Sequence, residues 1–389
     1  METLFYLSFM LFAGLLMGRT VKMIHLPNVT GYLLAGLFFG PYCLKILPLD
    51  FVTEMTIISE IALAFIAFTI GAEFKMSYLK KVGLTPIIIA LFEALTAVFA
   101  VTIALFAFGF DFELALLLGA IASATAPAAT IMVVKQYRAK GPVTETLLSV
   151  VALDDAVALM AFGFATAIVT TLETPGEASI MMTILNPIFE ICGSIIVGFL
   201  MGILFVIPLR YFKKDSNRTI IMTAFVLMGS AVADYLHLSP LLLCMCMGAM
   251  LANISSATTH ILKLSDNITP PIFVMFFVLS GAELNVTILP QIGLIGLVYV
   301  IFRVIGKVAG ASIGACIMKA QNTVKKYIGF ALVPQAGVAI GLSLIASQQI
   351  PSYGATIRAV ILCATLIYEL VGPALTKTAL QKAGEINPQ

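Results

Sequence analysis

Two adjacent aspartates, Asp154 and Asp155, stand in an apolar stretch of the sequence. Ionisable groups in a membrane-crossing segment are costly and usually functional. Adjacent residues on a helix point about 100° apart, so these carboxylates would face different neighbours. One can pair with a fixed cation while the other stays open to a mobile one. The pair therefore predicts binding of Na⁺, K⁺ or protons rather than a role in helix packing alone.

Four further ionisable residues lie deep in apolar stretches. Arg303 and Lys307 are four residues apart and share one helix face. A lysine in such a place needs a carboxylate partner or must lose its proton, and pairing of Lys307 with Asp154 is the simplest prediction. Arg303 lies 210 residues after Glu93, which predicts a structural pair between them. Glu369 is predicted to pair with either base.

Other carboxylates lie near the ends of apolar stretches. We expect them to be solvated or paired locally; they are Glu60, Glu73, Glu190, Asp234 and Glu283.

Two apolar stretches are interrupted by proline, at Pro127 and Pro334. A proline frees a backbone carbonyl, which at membrane depth is tolerated only beside protein or water. Crossed half-helices would direct their dipole ends at one place. Freed carbonyls and the hydroxyls of Thr125 or Thr130 could then help the aspartates to coordinate a hard cation. A simple proline kink is the alternative at either site.

The composition indicates an integral membrane protein. Hydrophobic residues make up 60% of the 389 residues and charged residues only 11%, with a mean hydropathy of +1.07. A soluble domain of this size does not need so much apolar surface. The sequence has no basic patch interleaved with aromatic residues, the pattern that would indicate binding of nucleic acid. The predicted spans lie near 3–18, 28–44, 55–73, 84–109, 112–134, 145–170, 185–210, 219–236, 239–254, 267–283, 290–318, 324–348 and 354–379.

The basic residues fit an alternation of these spans across a membrane. Eighteen of the 22 Lys and Arg residues would lie on one side, Lys45 and Arg358 on the other, and Arg303 and Lys307 within a span. Cytoplasmic loops are rich in Lys and Arg. The pattern predicts an outside N-terminus and a cytoplasmic C-terminus in the cell (inner) membrane.

Three sequence matches recur at nearly one offset. Gly71-Ala-Glu-Phe matches Gly281-Ala-Glu-Leu, His25-Leu-Pro matches His237-Leu-Ser-Pro, and Pro127 matches Pro334. Matching spans are seven apart, so the copies would run through the membrane in opposite directions. We therefore predict an all-α membrane protein of about 13 helices: two inverted six-helix repeats, a linking seventh helix and two broken, crossing helices. Secondary transporters have this architecture.

At these residues the sequence resembles the monovalent cation:proton antiporter superfamily, particularly its second branch. The resemblance covers essentially the whole chain and rests on four motifs: Leu26-Pro-Asn-Val-Thr-Gly-Tyr-Leu-Leu-Ala-Gly-Leu-Phe-Phe-Gly-Pro, Thr125-Ala-Pro, Leu153-Asp-Asp-Ala and Arg303-x-x-x-Lys307. It implies the sodium/proton antiporter fold. It also implies that Asp155 carries the ion and the proton, and that Asp154 pairs with Lys307.

The resemblance further implies a homodimer in which a core domain slides against a dimerisation domain. The dimerisation side would comprise residues 1–83 and 219–283, the core residues 84–171 and 289–380, and the linking helix residues 184–211. This sequence has Asp-Asp and Thr-Ala-Pro where the superfamily's other main branch, generally electroneutral, tends to have Asn-Asp and Thr-Asp-Pro. By analogy, this favours electrogenic exchange.

The predicted function is antiport of Na⁺ or K⁺ against protons, with cation and proton competing at Asp155 and no cofactor. A cation channel and a Na⁺-coupled solute symporter remain alternatives. An intramembrane aspartyl protease would need two carboxylates that converge on one peptide bond, whereas neighbours on one helix splay apart. We therefore expect a transporter in contact with membrane lipid, and not an enzyme.

Overall fold

The computed structural model describes residues 2–23, 28–77, 83–173, 180–284 and 293–386, and its regular structure there is entirely helical. The first nine helices are α1 (Glu2–Met23), α2 (Asn28–Phe39), α3 (Leu49–Glu54), α4 (Thr56–Glu73), α5 (Leu84–Ala107), α6 (Phe112–Ala122), α7 (Pro127–Gln136), α8 (Pro142–Glu173) and α9 (Ile180–Tyr211). The remaining helices are α10 (Asp215–Tyr235), α11 (Pro240–Ile254), α12 (Thr258–Ala282), α13 (Gly293–Ile317), α14 (Asn322–Ala331), α15 (Gly337–Gln349) and α16 (Pro351–Lys382).

The long helices have the length and composition of membrane spans. Within the described ranges, nine helices are long and apolar enough to cross a bilayer, and α2, α6 and α11 are shorter apolar helices. Large apolar side chains are exposed on many of them, such as Phe12 on α1 and Ile103 on α5. A helix satisfies its own backbone hydrogen bonds, which permits contact with hydrocarbon. The all-helical membrane fold predicted from composition is confirmed.

The helices form two groups by their packing. Helices α5–α8 and α13–α16 pack mainly among themselves, and we call them the core bundle. Helices α1, α2, α4 and α10–α12 also pack mainly together, and we call them the scaffold bundle. Helix α9 packs on α11 and on α8, so it contacts both. Whether one bundle dimerises and the other moves stays a prediction, as does the inverted symmetry; His25–Pro27, one of its matches, lies outside the described residues.

The core bundle is built around two interrupted helices. Residues 123–126 separate α6 from α7, and residues 332–336 separate α14 from α15. The backbone N–H of Ala126 donates to the carbonyl oxygen of Pro334 at 2.9 Å, which joins the two interruptions directly. The predicted broken, crossing helices are present.

Glycines bring α13 against α5. Gly306, Gly310 and Gly314 are spaced four apart on one face of α13. A methyl group placed on Gly310 would lie 2.5 Å from the carbonyl oxygen of Phe92, and one on Gly306 would lie 2.7 Å from the Cα of Ala97. Small residues at helix interfaces in membranes allow such close approach. This contact sets the height of the basic residues of α13 relative to the acidic residue of α5.

We expect Gly310→Ala to destabilise the protein, because the added methyl group meets the backbone of α5 rather than a flexible side chain. Overpacking of this kind costs about 1–3 kcal/mol. Thermal unfolding in detergent, followed by circular dichroism, measures the effect. The control is Gly296→Ala on the same helix, where a methyl group meets nothing within 4 Å. Equal midpoints for the two variants would contradict the close α5–α13 contact.

Candidate functional site

Lys307 projects from the middle of α13 into the centre of the core bundle, where its side chain is fully buried. Its Nζ donates to Oε1 of Glu93 at 2.5 Å, to the carbonyl oxygen of Ser123 at 2.5 Å and to Oγ1 of Thr125 at 2.6 Å. It also forms an ion pair with Oδ2 of Asp154 at 3.1 Å. The predicted contact between Lys307 and Asp154 is therefore present, and a second carboxylate shares the same ammonium.

Arg303 makes a different set of contacts from the one predicted. Its Nε donates to the carbonyl oxygen of Ala122 at 2.9 Å, Nη1 to that of Val333 at 2.6 Å and Nη2 to that of Ala124 at 2.7 Å. The predicted Arg303–Glu93 pair is wrong. The last carbonyls of a helix lack intrahelical partners. Arg303 supplies donors to the ends of α6 and α14, where water would otherwise be needed.

The position of Glu93 along the helix axis explains why it contacts Lys307 rather than Arg303. A Cβ built on Gly310 would lie 2.8 Å from the Cα of Glu93, so these two residues are level with each other. Lys307 is three residues from Gly310, about one helical turn, whereas Arg303 is seven residues away, about 10 Å along the axis. The carboxylate of Glu93 therefore reaches the lysine.

The predicted pairing of Glu369 with a base is also wrong. Glu369 is 1% exposed, and its Oε2 accepts a hydrogen bond from Oγ1 of Thr30 at 2.6 Å. In the described part of the chain neither Arg303 nor Lys307 forms an ion pair with it. The neighbouring Tyr368 instead meets Arg303, whose guanidinium carbon lies 4.4 Å from the ring centroid.

The two aspartates on α8 have different neighbours. Asp154 faces Lys307 and accepts a hydrogen bond from the Thr125 hydroxyl. Asp155 is 4% exposed, and its Oδ1 is buried without a hydrogen-bond partner among the described residues. Oδ1 of Asp154 and Oε2 of Glu93 share that condition. Buried acceptors without donors are costly, so these oxygens are suited to receiving a proton or a cation.

The remaining predicted ligands hold the interruptions together. The hydroxyl of Thr130 donates to the carbonyl oxygen of Ala331 at 3.5 Å, which ties α7 to the end of α14. Pro127 is the first residue of α7, and Pro334 lies between α14 and α15. In the ranges that the structure covers, no three His, Cys, Asp or Glu side chains form a metal-binding group. A cation would therefore need hydroxyl or carbonyl oxygens as well as carboxylates.

Gln335 is a residue of the site for which the sequence predicted no role. Its Nε2 donates to the carbonyl oxygen of Ile121 at 3.0 Å and to the Tyr299 hydroxyl at 2.9 Å. The same hydroxyl lies 3.1 Å from Oε1 of Gln335, to which it can donate. The signal available in the sequence is the position of Gln335 directly after Pro334, in an interrupted span where backbone groups need partners.

A cavity of about 430 Å³ lies between the bundles. Among its lining residues are Glu60 of α4, Glu190 of α9, Asp234 of α10 and two glutamines of α15. Leu63 and Leu241 also line it, and the same two residues line a small apolar space together with Leu159. Leu159 lies one helical turn after Asp155. Three of the predicted solvated carboxylates thus line the cavity; Glu283 instead pairs with Arg358.

Comparison with known proteins relates this geometry to a family. The family model described as "Sodium/hydrogen exchanger, transmembrane" matches residues 7–382. The chain belongs to the sodium/hydrogen exchanger family. Membership makes it a multi-pass transmembrane ion exchanger rather than an enzyme, and it confirms the resemblance to the cation:proton antiporter superfamily. Assignment to a branch of that superfamily stays a prediction.

One sequence relative and one solved structure are similar to this exchanger over most of its length. It is 23% identical over 403 aligned residues to the high-affinity Na⁺/H⁺ antiporter NhaS3 of Synechocystis sp., with 92% of this chain and 86% of the relative covered. Its fold matches the sodium proton antiporter MjNhaP1 of Methanocaldococcus jannaschii with a TM-score of 0.82. That match has 20% sequence identity and covers 98% of this chain and 99% of the other. At this identity the structural match shows the fold alone.

We expect Arg303→Lys to destabilise the exchanger, because one ammonium cannot reproduce the three directed donors of the guanidinium. Each carbonyl left without a donor costs about 1–3 kcal/mol. Thermal unfolding in detergent tests this, and Arg210→Lys at an exposed position is the matched control. Equal midpoints for Arg303→Lys and wild type would show that Arg303 is not needed at the helix ends.

Proposed function

We propose that this exchanger transports Na⁺ against protons and that both ligands compete for Asp155. The observation that carries the proposal is Oδ1 of Asp155, a buried acceptor without a partner in the described structure, beside a lysine already shared by two carboxylates. The name of the Synechocystis relative supports Na⁺ as the cation. K⁺ and Li⁺ are the cations to test beside it.

Competition follows from the cost of burying charge. A bare carboxylate in a medium of low polarity is strongly disfavoured, whereas a carboxylate that holds a proton or a cation is close to neutral. Occupation of Asp155 by one ligand excludes the other. Because the empty, ionised site is the most costly form to move through a dry barrier, the exchange is coupled without a separate gate.

Asp154, Glu93 and Lys307 set the charge of the transport step in this proposal. When Na⁺ binds, Asp154 leaves Lys307 to join the ligands of the ion as a carboxylate, and when Na⁺ departs Asp154 and Asp155 each take a proton. Two protons then exchange for each cation, and one net charge moves. Membrane voltage contributes about 2.3 kcal/mol per 100 mV for that charge.

Movement of the core bundle against the scaffold bundle would expose Asp155 to each side in turn. The cavity between the bundles supports an access route, because Leu63 and Leu241, which line it, also line a small apolar space beside Leu159, one helical turn after Asp155. The carboxylates that line it would raise the local concentration of cations. The proposed assembly is a homodimer formed by the scaffold bundles in the lipid of the cell (inner) membrane, with the N-terminus outside and the C-terminus in the cytoplasm.

The direct test is Asp155→Asn in proteoliposomes. The amide cannot bind a proton or balance a cation, so we expect dissipation of a pH gradient by Na⁺ to fall to the level of empty liposomes. Asp50→Asn, at an exposed position on α3, should exchange at the wild-type rate. Exchange that survives in Asp155→Asn would show that the carrier is another residue. Cation flux that persists without a counter-ion would indicate a channel.

Lys307→Ala tests the charge assignment. Without the ammonium, burial favours the neutral form of Asp154 throughout the cycle. Only Asp155 then exchanges a proton for each cation, so we expect exchange by the folded variant to generate no membrane potential. A voltage-sensitive dye in proteoliposomes measures this, and monodispersity in detergent shows that the variant is folded. Lys326→Ala, at an exposed position, should keep the wild-type current. Current from Lys307→Ala would remove Lys307 from the electrogenic step.

A further inference from the structure

Polar contacts cross between the bundles along one face of α16. Arg358, Thr365 and Glu369 are separated by seven and four residues, so they point the same way. Arg358 forms an ion pair with Glu283 after the end of α12, and Glu369 accepts a hydrogen bond from Thr30 of α2 at 2.6 Å. Helices α2 and α12 pack against each other in the scaffold bundle, whereas α16 belongs to the core bundle. We call this contact between α16 and the α2–α12 pair the seam.

Glu369 is an isolated carboxyl in the seam. It is 1% exposed, and the one side-chain contact described for it is the hydroxyl of Thr30. Oγ1 of Thr365, one turn earlier, is buried and has no partner among the described residues. An ionised carboxylate with a single neutral donor in such a place is costly. The antiport site at Asp155 makes no use of this group.

The charged groups nearest in the core bundle have other partners. On α13, Lys307 bonds Glu93 and Asp154, and Arg303 donates to main-chain carbonyls. On α16 itself, Tyr368 faces Arg303.

The titratable groups of α14 and α6 lie elsewhere along α16. Helix α15 contains no titratable side chain. The hydroxyl of Thr376 donates to the last residue of α14, so the titratable residues of that helix, Lys325, Lys326 and Tyr327, lie beyond Thr376. The hydroxyl of Tyr353 lies 3.3 Å from the carboxylate of Asp111, which places Glu113 of α6 near the start of α16. On α7 the titratable residue is Lys135, and on α2 it is Tyr32, whose ring packs near Phe277.

We propose that Glu369 is a proton-binding residue of the transport cycle, distinct from Asp155, and that α16 moves along the seam only when Glu369 is protonated. The inference rests on the proposed movement of the core bundle. That movement separates Glu369 from Thr30 and brings it against other residues of α2 and α12. A neutral carboxylic acid loses one hydrogen bond in this step, whereas a carboxylate would lose its only donor while remaining charged.

Glu369→Gln tests the proposal, because the amide has nearly the same shape and is permanently neutral. Exchange at Asp155 already requires protons, so the wild-type rate falls on the alkaline side. If Glu369 adds one proton to that requirement, the ratio of the variant rate to the wild-type rate rises by about tenfold for each pH unit on the alkaline limb. The pH profile of Na⁺-driven proton exchange in proteoliposomes measures this ratio. Glu54→Gln, at an exposed position on α3, should give a constant ratio of one.

Substitutions of Thr30 test the same group without removing its carboxyl. A hydrogen bond donated to the ionised form favours that form. Thr30→Val therefore favours protonation of Glu369 and should extend exchange to more alkaline pH, by several-fold in rate, whereas Thr30→Ser should follow the wild-type profile.

The outcomes separate this inference from the proposed function. Asp155→Asn tests whether exchange occurs at Asp155. Loss of exchange in that variant says nothing about the role of Glu369. A profile for Glu369→Gln that overlays the wild-type profile overturns the inference and leaves Asp155 as the carrier. If Glu369→Gln does not fold, a Thr30→Val profile that overlays that of Thr30→Ser overturns it in the same way.

Discussion

The constraint on which this structure depends is that backbone carbonyls cannot be left unpaired inside a membrane. Two interrupted helices end in the middle of the core bundle, and each end leaves carbonyl oxygens without intrahelical donors. Arg303 and Lys307 supply the missing donors from a single helix. The two interruptions also bond each other through Ala126 and Pro334. An intramembrane ion site is possible here because α13 satisfies what the broken helices expose.

The two basic residues divide two tasks between them. The guanidinium of Arg303 is always charged and has a fixed fork of donors, which suits a permanent contact with carbonyls. The ammonium of Lys307 is a compact charge whose donors can turn, and it contacts Glu93, Thr125 and Asp154 together. One group therefore fixes the backbone while the other holds two carboxylates. The glycines of α13 make both tasks possible by setting that helix directly against α5.

Much of this arrangement could be predicted from the sequence. Hydropathy gave the spans, prolines marked the interruptions, and the depth of Lys307 and Asp154 predicted their contact. The partners of Arg303 and Glu369 could not be predicted, because they depend on helix height. An equal offset between repeats indicates equivalent positions, but the close contact at Gly310 places Glu93 about two helical turns from Arg303 and one from Lys307. Main-chain acceptors, such as those of Arg303, cannot be recognised from the pattern of side chains in a sequence.

The acceptors of Arg303 have a consequence for how such a chain can change over generations. All three are main-chain oxygens, at Ala122, Ala124 and Val333, and every amino acid provides one. Mutations at these positions preserve the contact as long as the new side chain fits, so the residue types of the acceptors can change. The donor residue cannot change, since no other side chain has the forked set of donors of the Arg303 guanidinium. In a set of diverged sequences, variation should therefore be tolerated at positions 122, 124 and 333 and absent at position 303.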